Sequence, residues 1–93
     1  MALRVSTSIV TSDTSVKSGS GTLHWIIASA AGTGGAFQIN DSTDDGGTDK
    51  VHGVVGANTG PHFMDFSNAG IEFNSGIYAD IPGTNVTLTI GYT

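Results

Sequence analysis

A chain of 93 residues with a net charge of −5 and only three basic residues, Arg4, Lys17 and Lys50, has the length of one domain. It lacks the cationic surface that nucleic acids or anionic membranes require. It has no cysteine, which rules out disulfides and thiolate metal sites. Its fourteen glycines raise the entropic cost of ordering an already thin core.

The domain is therefore expected to gain stability from partners, by oligomerising or by docking on something larger. No apolar run approaches the roughly 20 residues that span a bilayer. The opening "MALRVSTSIV" has one basic residue and no apolar stretch of signal-peptide type, so no secretory signal is expected there.

Leucine occurs three times, whereas valine, isoleucine and threonine together supply 27 residues. These β-branched residues suit a pleated surface and are stiff in helices. Period-2 alternation replaces any helical periodicity. In "LRVSTSI", Leu3, Val5 and Ile9 alternate with Arg4, Ser6 and Ser8. Residues 11–20 are rich in Ser and Thr and read as a loop or an extended arm, so that residues 1–20 form an N-terminal arm or an edge strand plus loop. "GTLHWIIASA" is a longer strand. Leu23, Trp25 and Ile27 share one face and His24, Ile26 and Ala28 the other, and with both faces apolar its place is central.

"GGAFQIND" puts Phe37 and Ile39 together, and "KVHGVVGA" is a weaker strand interrupted by Gly53 and Gly56. "PHFMDF" and "GIEF" are short strands around the turn residues Ser67 to Gly70. "GIYADIP" sets Ile77, Ala79 and Ile81 against Tyr78 and Asp80. In "TNVTLTIGYT", Val86, Leu88, Ile90 and Tyr92 face one way. Pro82-Gly83 between these last two fits a type II turn and predicts a hairpin.

Seven or eight short strands with Gly, Ser, Asn and Asp punctuation predict one antiparallel β-sandwich over residues 1–93, jelly-roll-like. The expected core is Leu23, Trp25, Ile27, Phe37, Ile39, Ile77, Ile81, Val86, Leu88 and Ile90. Ile26, Ala28 and Tyr78 are left for a second contact surface.

Candidate chemistry is sparse. "NDSTDDGGTD" holds Asp41, Asp44, Asp45 and Asp49, four of the eight acidic residues. Read as an EF-hand loop from Asp41, it has glycine at position 6 but His52 where the bidentate glutamate belongs. The alternative is a solvated hairpin tip between the Phe37–Ile39 and Val51–Val55 strands, and no structural metal is expected. His24, His52 and His62 lack zinc-motif spacing. Asp65 and Glu72 flank a turn and form a candidate carboxylate pair for glycoside hydrolysis, in a chain with little room for the cleft such enzymes use. "AGTGGA" lacks the lysine of a phosphate loop, and no nucleophile elbow is present. No catalytic, cofactor-binding or metal-binding residue is assigned, and the chain is read as non-enzymatic. Trp25 is assigned to the core and Tyr78 to the opposite face.

"GTLHWI", "AFQIND", "GIYADIPG" and "NVTLTIGY", with a Gly/Asp loop between the second and third, resemble small β-rich virion structural proteins of tailed bacteriophages. The resemblance spans about three quarters of the chain, from Thr22 to Tyr92. It implies a capsid decoration or cement protein, or a small fibre or tail protein, located on the virion. It implies the major capsid protein or another virion protein as partner and a homotrimeric state, and it brings no catalytic residue. The segment "ALRVSTSIV" is the candidate docking or exchanged strand.

Overall fold

The computed structural model describes residues 4–82 and 85–93. Nine strands follow one another: β1 (Ser6–Val10), β2 (Thr14–Ser18), β3 (Gly21–Ala30), β4 (Gly35–Asp41), β5 (Thr48–Val55), β6 (His62–Asp65), β7 (Ile71–Phe73), β8 (Gly76–Asp80) and β9 (Val86–Tyr92). One sheet, here sheet A, runs β1-β9-β3-β6, with β7 also paired to β3; sheet B runs β2-β8-β4-β5. Every pairing is antiparallel. The expected all-β antiparallel sandwich is the observed one.

The pairs are nested. β4–β5 is the innermost hairpin, β3–β6 surrounds it, then β2–β8, then β1–β9. This is a long antiparallel ribbon rolled up so that successive pairs fall in alternate sheets, the topology of a jelly roll. "NDSTDDGGTD" is where the ribbon turns back. Residues 42–47 join β4 to β5, so this stretch is a hairpin tip as expected.

The core lies between the sheets. Val10, Leu23, Ile26, Phe73, Val86, Leu88 and Ile90 come from sheet A; Phe37, Ile39, Val55, Ile77 and Ala79 come from sheet B. A fully buried aliphatic or aromatic side chain of this size is worth about 1.5–3 kcal/mol relative to exposure. The Phe37 ring occupies the space beside Gly53 on the neighbouring strand. A Cβ at Gly53 would approach Phe37 Cζ to 2.5 Å. The glycine that weakens β5 as a strand is the one that admits the largest core side chain of sheet B.

Two expected core residues are elsewhere. Trp25 and Ile27 lie on the outer face of sheet A, while Ile26 and Ala28, expected on a second surface, are buried. The cause is a bulge. In the β3–β9 ladder Leu23 pairs with Tyr92 and Trp25 with Gly91, so His24 is an extra residue. One inserted residue reverses the facing of every side chain beyond it. Leu23 points inward, and after His24 the inward set becomes Ile26, Ala28 and Ala30. His24 itself is buried, its Nδ1 3.3 Å from the Ser67 carbonyl and its Nε2 3.0 Å from Thr93 Oγ1.

Three connections also differ from expectation. β8 and β9 do not form a hairpin. β8 pairs with β2 and β4 in sheet B, and β9 with β1 and β3 in sheet A. The chain passes from sheet B to sheet A between β8 and β9, and Gly83 of the expected turn is outside the described residues. β6 and β7 do not pair with each other; both run along the same edge of β3, one opposite Trp25–Ala28 and the other opposite Gly21–Leu23. The Ser/Thr-rich residues 11–20 contain β2, an edge strand of sheet B. Among the N-terminal alternation residues Leu3 is outside the described residues, Ile9 faces solvent, and Val10 enters the core.

Candidate functional site

The bulge at His24 creates the feature with most functional content, the outer face of sheet A. Cross-strand register aligns Ile9, Thr89, Ile27 and Phe63 in one row, and Thr7, Gly91, Trp25 and Asp65 in the next. Ile9 is 73% exposed and Phe63 62% exposed. Trp25 and Ile27 are half-buried between them. The Trp25 and Phe63 ring centroids are 6.2 Å apart with planes tilted at 45°, within the range where aromatic pairs attract. Trp25 is seated against Gly91, where a Cβ would lie 2.5 Å from the indole Nε1. Threonines and Ser29 fill the remaining outward positions of β9 and β3. The carboxylates of this face, Asp65 and Glu72, sit on the edge strands β6 and β7. An apolar row crossing the sheet, with polar groups on either side of it, combines the features of a protein interface.

The outer face of sheet B is of opposite character. Ser15, Tyr78, Asn40 and Asp49 form one row, and Asp80, Gln38 and His52 the next. Asp80 is raised above the ordinary carboxylate value, first by partial burial, then by the neighbouring carboxylate of Asp13, and by the charges of Asp45 and Asp49. Tyr78 is raised by partial burial and by the negative charges of Asp13, Asp45, Asp80 and Asp44. Five aspartates therefore act on one side of the molecule. Val54, 76% exposed, stands on this face opposite Ala36.

The aspartates of the hairpin tip have separate structural tasks. Asp41 accepts hydrogen bonds from the Asn74 and Ser75 amides at 3.0 and 2.8 Å, which ties the turn before β8 to the end of β4. These bonds hold its carboxyl below the usual range. Asp44 accepts from the Gly46 amide at 2.8 Å and from Ser42 Oγ at 2.9 Å, closing the tip, with the same direction of shift. Asp45 and Asp49 are exposed. No group of three or more His, Asp or Glu residues among the described residues is arranged to hold a metal ion.

The other sequence candidates are dispersed. His24 is the buried bulge residue in sheet A, His52 lies on the outer face of sheet B, and His62 is exposed on β6. Asp65 and Glu72 are on one edge of sheet A, opposite Trp25 and Thr22 respectively. Three residues along β3 separate these positions by roughly 10 Å of strand, so they do not face each other across a hairpin. Asp65 accepts from the Ser67 amide at 2.8 Å. Glu72 borders an open depression of about 290 Å³ with Ser20, Thr22 and Asn74, in which it is the one carboxylate. The Trp25–Phe63 surface is not legible in the sequence, because alternation alone gives β3 an unbroken phase. Its one advance signal was that both faces of β3 are apolar, as a strand needs if it serves the core and an outer contact.

Comparison with protein-family models, with curated proteins and with solved structures finds no match.

Proposed function

We propose that this protein is a non-enzymatic structural component of a tailed-phage virion, a decoration or cement protein that stabilises the capsid surface by burying apolar groups and strand edges at subunit junctions. Its partners are the major capsid protein or another virion protein, together with further copies of itself. The observation that supports this reading is the Ile9–Ile27–Phe63 row with Trp25 beside it. Single exposed apolar residues are ordinary, but an aligned set on one flat face marks a surface that another protein covers. The two-sheet architecture and the resemblance carried by "GIYADIPG" agree with it. Mass spectrometry of purified particles tests the reading, together with the heat stability of particles with and without the protein. Its absence from particles, or particle stability independent of it, overturns the proposal.

A second reading is a carbohydrate- or receptor-binding module of a fibre or tail. The Trp25–Phe63 ring pair, with Thr7 and Asp65 in the adjoining row, favours it, since exposed aromatics stack on sugars. Tyr78 does not contribute to that surface, because it lies on sheet B. A specific glycan-array signal lost in Trp25→Ala would establish the second reading over the first.

A further inference from the structure

We infer that the outer face of sheet A is covered by a second copy of the same chain, in a face-to-face pair related by a two-fold axis. The inference rests on the reading of that face as a protein contact and names its occupant.

Charge is the first argument. The chain carries a net charge of −5, so two copies repel unless their charges are kept apart. Asp49 and Asp80 lie in the outward rows of sheet B, Asp44 and Asp45 in its β4–β5 tip, and Asp13 immediately before its edge strand β2. Among the described residues the central strands of sheet A present Thr22, Trp25, Ile27, Ser29, Thr87, Thr89 and Gly91 outward, none of them charged. Pairing through sheet A puts the five aspartates on the two far surfaces of the pair, separated by both sandwiches. Pairing through sheet B would bring them together.

Area is the second. The molecule measures 37 × 31 × 16 Å, so a broad face offers on the order of 1,000 Å², against about 800 Å² per partner in a standard stable interface. The face is large enough for one flat partner of the same size.

Self-complementarity is the third. Ile9 on β1 and Phe63 on β6 are at opposite ends of one row, three inter-strand steps or roughly 14 Å apart. Thr89 and Ile27 lie between them. A two-fold axis in the interface, running along the seam between β9 and β3, places Ile9 of each copy over Phe63 of the other and Ile27 over Thr89. An isologous contact requires this reciprocity. The two most exposed side chains of the face then cover each other twice. The resemblance implies a trimer; this geometry implies a pair.

Sedimentation of the purified chain from micromolar to hundreds of micromolar tests the inference. The expected species has the mass of two chains. Ile9→Ser/Phe63→Ser is expected to sediment as one chain with an unchanged β-sheet circular dichroism spectrum, since both side chains are mostly outside the fold's own core. The chain has no cysteine, so a mixture of Ile9→Cys and Phe63→Cys chains under oxidation should give disulfide-linked heterodimers. Native chain that stays single at the highest concentration, a three-chain species, or a double variant with the native mass would each overturn the pair. A single-chain species that is still found in purified particles overturns this inference alone. A two-chain species absent from particles overturns the virion reading and leaves the pair standing.

Discussion

Trp25 occupies the space that a side chain at Gly91 would need. The two residues are cross-strand partners on β3 and β9, and a Cβ on Gly91 would meet the indole at three ring atoms. The ring in turn buries Gly91, shielding backbone that a glycine leaves open. Gly91→Ala should displace the ring into solvent and cost about 1–3 kcal/mol, as overpacking does. Trp25 is the one tryptophan, so its fluorescence reports the site directly. The expected outcome is a red-shifted emission with a lower Tm. An unchanged emission maximum would show that the ring is not held by this glycine.

The same pair marks where the sequence is legible and where it is not. β4, β8 and β9 alternate without interruption, and pattern alone puts Phe37, Ile39, Ile77, Val86, Leu88 and Ile90 in the core, where they are found. β3 alternates equally well on paper, but His24 adds a residue to the ladder. A bulge leaves no mark in a run where both faces are apolar, so alternation assigns Trp25 and Ile27 the core positions that Ile26 and Ala28 hold. Pro82-Gly83 announces a change of direction but not the sheet that the next strand joins. β2 is Thr-Ser-Val-Lys-Ser, an edge strand whose polar residues read as loop because only its partner β8 gives it a reason to be extended. The outer face of sheet A depends on the bulge and on the register of four strands, and neither is local.

Asp80 should destabilise the fold at neutral pH. Its folded-state pKa is raised, by partial burial and by Asp13, Asp45 and Asp49. A raised carboxyl contributes stability that is fully present below its unfolded pKa of about 3.9 and is lost as pH rises through the folded value. Asp80→Asn should therefore raise the Tm at pH 7. The gain should shrink as pH falls through the raised value and vanish below about pH 4, where the native carboxyl is protonated. A Tm difference that is the same at every pH would mean the substitution acts through packing rather than charge.

Asp41 is expected to behave in the opposite sense. Its pKa is lowered by the Ser75 and Asn74 amides, so its contribution is present above the unfolded pKa and is lost as pH falls through the lowered one. Asp41→Ala should lower the Tm by several degrees at pH 7 and lose its effect in strong acid. An equal deficit in acid and at neutral pH would assign the effect to the loop's shape instead.

The same amide bonds bear on calcium. Asp41 is committed to the Asn74 and Ser75 amides outside the hairpin tip, and Asp44 to the Gly46 amide within it. A cation would have to compete for both, and only a ligand that prefers the folded state raises stability. Millimolar calcium should leave the Tm unchanged. A rise of several degrees that Asp45→Asn abolishes would establish a cation site at this tip.

Asn40 is 0% exposed, and neither its side-chain nitrogen nor its oxygen finds a hydrogen-bond partner among the described residues. Register places it on the outer face of sheet B between Tyr78 and Asp49, so it is covered where an outward residue is normally wet. Leaving such an amide unpaired costs about 1–3 kcal/mol on the scale of protein substitutions. Asn40→Leu keeps the branched outline of the side chain, is bulkier, and has no polar atom to satisfy. It should raise stability by about 1–2 kcal/mol in urea unfolding without changing the denaturant slope. Asn40→Asp should do the reverse at pH 7, because it adds an ion to a covered position already beside Asp49. If Asn40→Leu instead destabilises as much as Asn40→Ala, the carboxamide is serving an interaction that outweighs its desolvation, and the outer face of sheet B holds a polar contact as well as its aspartates.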